Sequence, residues 1–137
     1  MVKVEVYRTT AGVVKEYDHS LLTTAELEAV LSDDVEAYSL ILDGVCLACG
    51  GIRRILPTTG EGFFFTTEEA FNIPYLFVQA RHVWRIMTDE LTRVQAMINI
   101  LVPEHITFAY ALGMVPEGVL RRAGPTGEDY VLFVRLR

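Results

Sequence analysis

From Val2 to Arg8 apolar and polar residues alternate, the period of a strand with one buried face. Val13–Tyr17 is expected to be a short extended arm or partner strand. The period then changes. Leu27, Val30 and Leu31 recur at helical spacing, and Thr23 with Glu26 three residues later has the form of a capping box. A short helix is expected there, ending at the polar Ser32-Asp33-Asp34. Glu36–Leu42 and Val45–Leu56 are β-prone runs joined by Asp43-Gly44, a dipeptide that favours a two-residue hairpin turn. Pro57–Gly60 reads as a turn and Gly62–Thr66 as a further buried strand. Thr66 and Glu69 repeat the capping-box spacing, and Asn72-Ile73-Pro74 interrupts the short helix they open. Leu76, Ala80, Val83, Trp84, Met87 and Leu91 mark the main amphipathic helix, with Trp84 on its core face. Arg93–Leu101 is expected to be a strand. Pro103 then takes the favoured first position of a helix that Gly113 ends. Val115–Arg122 and Tyr130–Leu136 close the chain as strands.

This order of strand, helix, three strands, helix, strand, helix and two strands predicts a mixed α/β chain, one twisted sheet with helices on its faces. At 137 residues the chain fits one domain, 1–137, large enough to bury roughly two-thirds of its unfolded surface. Apolar residues make up 51% of it, which argues against disorder. The longest apolar runs fall far short of the ~20 residues of a membrane span, so none is expected. The alternating amino terminus is unlike a secretory signal, and a cytoplasmic protein is expected. The net charge of −6 weighs against nucleic-acid binding, which needs a concentrated basic surface. Two cysteines, Cys46 and Cys49, stand three apart on an expected strand, where their thiols should point to opposite faces. Core thiols in a reducing compartment fit this spacing better than a redox pair or half a zinc site. His19, His82 and His105 show no metal-ligand spacing, and no metal is expected.

The carboxy-terminal stretch carries a resemblance. Leu112-Gly113-Met114, then Glu117-Gly118, then a last strand after the Asp129 turn, are similar to the end of GNAT (N-acetyltransferase) superfamily proteins. Asp43-Gly44 and Gly62–Thr66 resemble that superfamily's hairpin and its central strand before the cofactor loop. More narrowly, Phe64-Phe-Thr-Thr-Glu-Glu-Ala-Phe71 and His105-Ile-Thr-Phe108 look like the short GNAT-like proteins of podophages, some of them internal virion proteins. The resemblance implies a mostly antiparallel sheet with helices on both faces. It also implies a central strand that splays from Arg93–Leu101; continuous pairing of the two would contradict it. Phage origin, a virion or other protein partner, and homodimers pairing through the last strands, with Val131–Val134 as the apolar surface, are implied on the same basis.

Members of the superfamily hold the pyrophosphate of acetyl-CoA with a Gln/Arg-x-x-Gly-x-Gly/Ala loop, whose backbone N–H groups approach the phosphates at a helix N-terminus. The matching stretch here, Thr66–Pro74, has no glycine, loses a donor at Pro74, and carries Glu68 and Glu69, which repel phosphate. The tyrosine that protonates the departing thiolate in many members is Ala109 here, with Tyr110 one residue on and rotated by about 100°. The usual asparagine at the start of that helix is Val102. If acetyl-CoA is used, Phe65, Thr66 and Thr67 are the expected backbone contacts, Glu61, Glu68 and His105 the candidate bases and Tyr110 a displaced acid. Three functions stay open: a GNAT-like structural or interaction protein with a degenerate acetyl-CoA site, an active N-acetyltransferase, and a binder of another small molecule in the same cleft. The altered loop favours the first.

Overall fold

Asp43 and Gly44 both adopt left-handed backbone, φ 52° and 76°, as a primed hairpin turn requires. They join β2 (Val35–Leu42) to β3 (Val45–Leu56) in the computed structural model, which describes residues 4–16, 22–32 and 34–137. β1 (Glu5–Arg8) precedes this hairpin, and the start of its expected span, Val2 and Lys3, lies outside the described residues. β4 (Thr59–Thr66), β5 (Arg93–Asn99), β6 (Val115–Leu120) and β7 (Tyr130–Leu136) complete a seven-stranded sheet in the order β1-β2-β3-β4-β5-β7-β6. Every neighbouring pair is antiparallel except β4 and β5. Both sheet faces are covered. Val30 of α2 (Thr24–Val30) packs with Val35 and Ala37 of β2 on one face. On the other, Leu76 of α3 (Pro74–Thr88) packs with Leu40 and Ala48, and Trp84 and Met87 with Ile52, Val94 and Phe133. Phe108 and Ala109 of α4 (Pro103–Ala111) join that second core, and Gly113 follows at φ 85°. The Thr23–Glu26 capping box forms in both directions. No helix among the described residues is long and apolar enough to cross a membrane.

Three expectations are corrected. Ala11–Glu16 is a helix, α1, where an extended arm was expected, because the Thr10 hydroxyl accepts the Val13 N–H at 3.3 Å and caps the turn; Tyr17 lies outside the described residues. The second capping box is absent. The Thr67 hydroxyl instead donates to the Leu47 carbonyl, and Glu68–Asn72 winds as a 3₁₀ turn without a side-chain cap. The expected interruption at Asn72-Ile73-Pro74 is present: the 3₁₀ turn stops at Asn72 and Pro74 opens α3, since a missing N–H costs nothing at the first position. The cysteines share a face. The register slips between Leu40 and Ile41, pairing Leu40 with Ala48 but Ile41 with Cys46, so the bulge at Leu47 turns Cys46 to the side of Cys49. Both thiols are buried and clustered with Ile41.

Val131–Val134 offers little surface for self-association, because Phe133 and Val134 are 1% and 3% exposed. The exposed apolar residues of the closing strands are Val115, Val119 and Leu136.

Candidate functional site

β4 and β5 share three register pairs, Thr59 with Arg93, Gly60 with Val94 and Glu61 with Gln95. Beyond them β4 stays paired with β3 as far as Thr66, while β5 continues along β7 to Asn99. The two strands therefore splay as the resemblance implies. Among the described residues the β5-facing edge of β4 after Glu61 has no strand partner, which leaves its backbone donors and acceptors open to other partners.

The chain's own side chains bridge this split. His105, in the first turn of α4, places Nε2 3.3 Å from the Thr66 hydroxyl at the end of β4. The Phe64 ring stands edge-on to Phe108 at 4.7 Å and to His105 at 5.1 Å. Phe77 of α3 lies 5.4 Å from Phe108, and Phe71 of the 3₁₀ turn lies 5.9 Å from Phe77 and 6.1 Å from His105. Such edge-to-face and tilted pairs add attraction beyond their buried area. The remaining apolar space beside the cluster, bounded in part by Tyr38, Cys49, Phe64, Trp84 and Phe108, is about 40 Å³. Sites for small organic ligands run from about 300 Å³ upward. Burial pushes the His105 pKa below its ordinary value, against the smaller opposing effect of Glu104. The imidazole is thus neutral at pH 7 and exchanges a hydrogen bond with Thr66 in a largely apolar setting.

Of the residues singled out in the sequence, Thr66 and His105 are brought together. Phe65 points to the opposite face, with its ring 5.8 Å from Phe63. Thr67 uses both its N–H (3.0 Å) and its hydroxyl (3.2 Å) on the Leu47 carbonyl. Glu61 is half-buried on the α2 face, in a shallow cleft with Arg53, Phe63 and Phe65. Tyr110 is exposed and edge-on to Phe133, turned away from His105 on α4. Glu61, His105 and Tyr110 therefore do not converge. Ala109, at the position of the usual tyrosine, is fully buried. At the N-terminus of α3 the Ile73 N–H is taken by Ala70 and the Leu76 N–H by Ile73, with Glu68 and Glu69 exposed just before it. No cluster of three or more His, Cys, Asp or Glu placed to hold a metal occurs among the described residues. Phe71, Phe77 and Phe108 are the site residues that sequence reasoning missed. His105 and Phe108 stand three apart on one helix face, a signal that could have tied the aromatics to the histidine.

Comparison with solved structures places this geometry. A GNAT-family acetyltransferase from Streptococcus pneumoniae superposes with a TM-score of 0.71 at 17% identity, covering 98% of this chain and 100% of that one. An IAA acetyltransferase from Bacillus cereus gives 0.75 at 10% identity, with 98% and 100% covered. A variant of a spermidine N-acetyltransferase from Vibrio cholerae gives 0.71 at 9%, with 97% and 93% covered. At these identities the likeness is one of fold: the chain has the GNAT acetyltransferase fold. No family model and no curated protein matches it by sequence.

Proposed function

We propose that residues 1–137 form one GNAT-fold domain whose acetyl-CoA cleft is degenerate, and that it serves as a structural or interaction protein. The observation that carries this is the bridge across the split. His105 on Thr66, with Phe64, Phe71, Phe77 and Phe108 packed around it, leaves about 40 Å³ of apolar space beside the bridge, too little for a pantetheine arm and acyl group. The residues present fit the cofactor's phosphates no better. The turn before α3 has no glycine, its Thr67 N–H and hydroxyl are spent on Leu47, and Pro74 brings no donor. Two exposed glutamates lie where two or more negative charges would have to sit, and like charges at close range repel. No acyl-transfer step is assigned to the chain. A partner protein in a virion, or another partner inside a phage-infected cell, agrees with the resemblance to podophage proteins.

The second reading, an N-acetyltransferase, is favoured by one observation. The β4 edge beyond Glu61 has no strand partner among the described residues, and an extended amide-bearing arm can pair with such an edge as a strand does.

Calorimetric titration with acetyl-CoA, with CoA as control, separates the two. The expected result is no binding heat at millimolar cofactor. Saturable binding in the micromolar range overturns the proposal, and a screen of acceptor amines would follow.

A further inference from the structure

At the other end of α3 lies a cleft that the acetyl-CoA question does not touch. α3 begins beside the end of β4 and finishes at Thr88, next to Leu91 and the start of β5. There the last turns of α3, the carboxy-terminal end of α4 and the end of β7 enclose a cleft of about 300 Å³, walled by Arg81, Trp84, Arg85, Tyr110, Arg135 and Arg137. Four of the twelve Lys and Arg residues of a chain with net charge −6 thus meet in one place.

Two of the four are fixed parts of the wall. Arg135 donates to the Leu91 carbonyl at 2.7 Å and to the Thr88 hydroxyl at 3.0 Å. Arg137 donates to the Asp89 carbonyl at 2.6 Å and its carboxylate at 3.1 Å. They cap the carbonyl end of α3 and offset its negative dipole end, which would otherwise repel an anion. The other two are uncommitted. Arg81 and Arg85 sit one turn apart on α3, exposed, with no ion-pair or hydrogen-bond partner among the described residues. Among the described residues, Asp89 is the one carboxylate that pairs with an arginine of the cleft, and it is held by Arg137.

Two residues that line the cleft also carry buried donors. Trp84 is 5% exposed, yet its indole N–H has no hydrogen-bond partner among the described residues, and neither has the buried Nε of Arg135.

We propose that this cleft binds a small organic oxyanion, a carboxylate or phosphate ester, clasped by Arg81 and Arg85 and lying over Trp84 and Tyr110. Guanidinium groups match both oxyanions with paired N–H donors. The aromatic floor suits a ligand with an organic body rather than a bare ion.

Trp84 is the chain's single tryptophan, so its fluorescence reports on this cleft. The protein is titrated with citrate and, separately, with glycerol phosphate, against sodium chloride at matched ionic strength, with calorimetry in parallel. The expected result is saturable binding of at least one probe below about 1 mM, weakened tenfold or more by R81Q/R85Q and unchanged by R121Q/R122Q. Which probe binds more tightly separates the carboxylate from the phosphate source. Absence of saturable binding by both methods, a response reproduced by chloride, or full affinity in R81Q/R85Q overturns the proposal. Because acetyl-CoA plays no part in this test, its result is independent of the proposed loss of the cofactor.

Discussion

Gly62 stands where β4 passes closest to the indole of Trp84. A Cβ built on it would lie 2.4 Å from Cη2 and 3.0 Å from Cζ3 of that ring, and 3.4 Å from Ile52 Cδ1. Carbon atoms in contact need about 3.5–4.0 Å, so Gly62→Ala forces the ring to retreat by about 1 Å. Trp84 has little room to do so, being buried among Ile52, Met87 and Phe108 in the main core. Overpacking of this kind costs about 1–3 kcal/mol, and the stiffer alanine returns about 0.4–1 kcal/mol through the unfolded chain. The net loss is therefore about 1–2 kcal/mol. At about 2.1 cal/mol/K of unfolding entropy per residue, this chain should melt roughly 3–7 °C lower. Circular dichroism is the right probe, because Trp84 fluorescence is itself perturbed. Trp84→Phe removes the offending ring edge, so Gly62→Ala should cost little in that background, with a coupling of about 1–2 kcal/mol in the double-mutant cycle. Gly118→Ala is the control, since a Cβ there meets nothing within 4 Å. A Gly62→Ala protein as stable as the parent, or a cycle without coupling, refutes the packing argument.

Three further outcomes are expected. His105 has its folded pKa lowered, so below its ordinary pKa the unfolded chain takes up the proton more readily. Stability should fall as pH drops through about 6.5 towards the folded value, and His105→Gln should flatten that part of the profile in parallel urea titrations. Ser39 is fully buried with its hydroxyl 2.8 Å from that of Thr9, so Ser39→Ala should cost about 1–2 kcal/mol by urea unfolding; no loss would show that the pair contributes nothing. Thr88, also fully buried, donates to the Trp84 carbonyl at 2.8 Å and accepts from Arg135, so Thr88→Val should lower stability by about 1–2 kcal/mol, read as a thermal shift.

Local chemistry was the part of the fold that could be read from sequence. Asp43-Gly44, Pro103 and the Thr23–Glu26 pair announce a turn, a helix start and a cap because each acts within four residues. The apolar periods then place most of the strands and the two long helices. What escaped were features set by distant partners. Thr66 and Thr67 have the spacing of a cap, but Leu47 and His105 claim their hydroxyls across the fold. The bulge that gathers Cys46 and Cys49 onto one face depends on how β3 registers against β2, which no local pattern in β3 states. At the candidate site, Thr66 and His105 were both named without any sign that they meet. The aromatics around them looked like ordinary core positions one helix or strand at a time.

The short β4–β5 pairing also bears on how the molecule comes apart. Three backbone pairs alone would leave the antiparallel sheet of β1–β4 and that of β5–β7 close to two separate cooperative units; the shared core of Ile52, Trp84, Val94 and Phe133 and the aromatic bridge join them. The contacts of Phe64, Thr66 and Phe77 with His105 and Phe108 tie the first unit, through α3, to the helix that follows β5. Amide exchange in β3 and in β7 should therefore rise together under mild denaturant. Loosening the tie with Phe108→Ala should let one set of amides exchange ahead of the other, a loss of cooperativity in addition to the loss of stability.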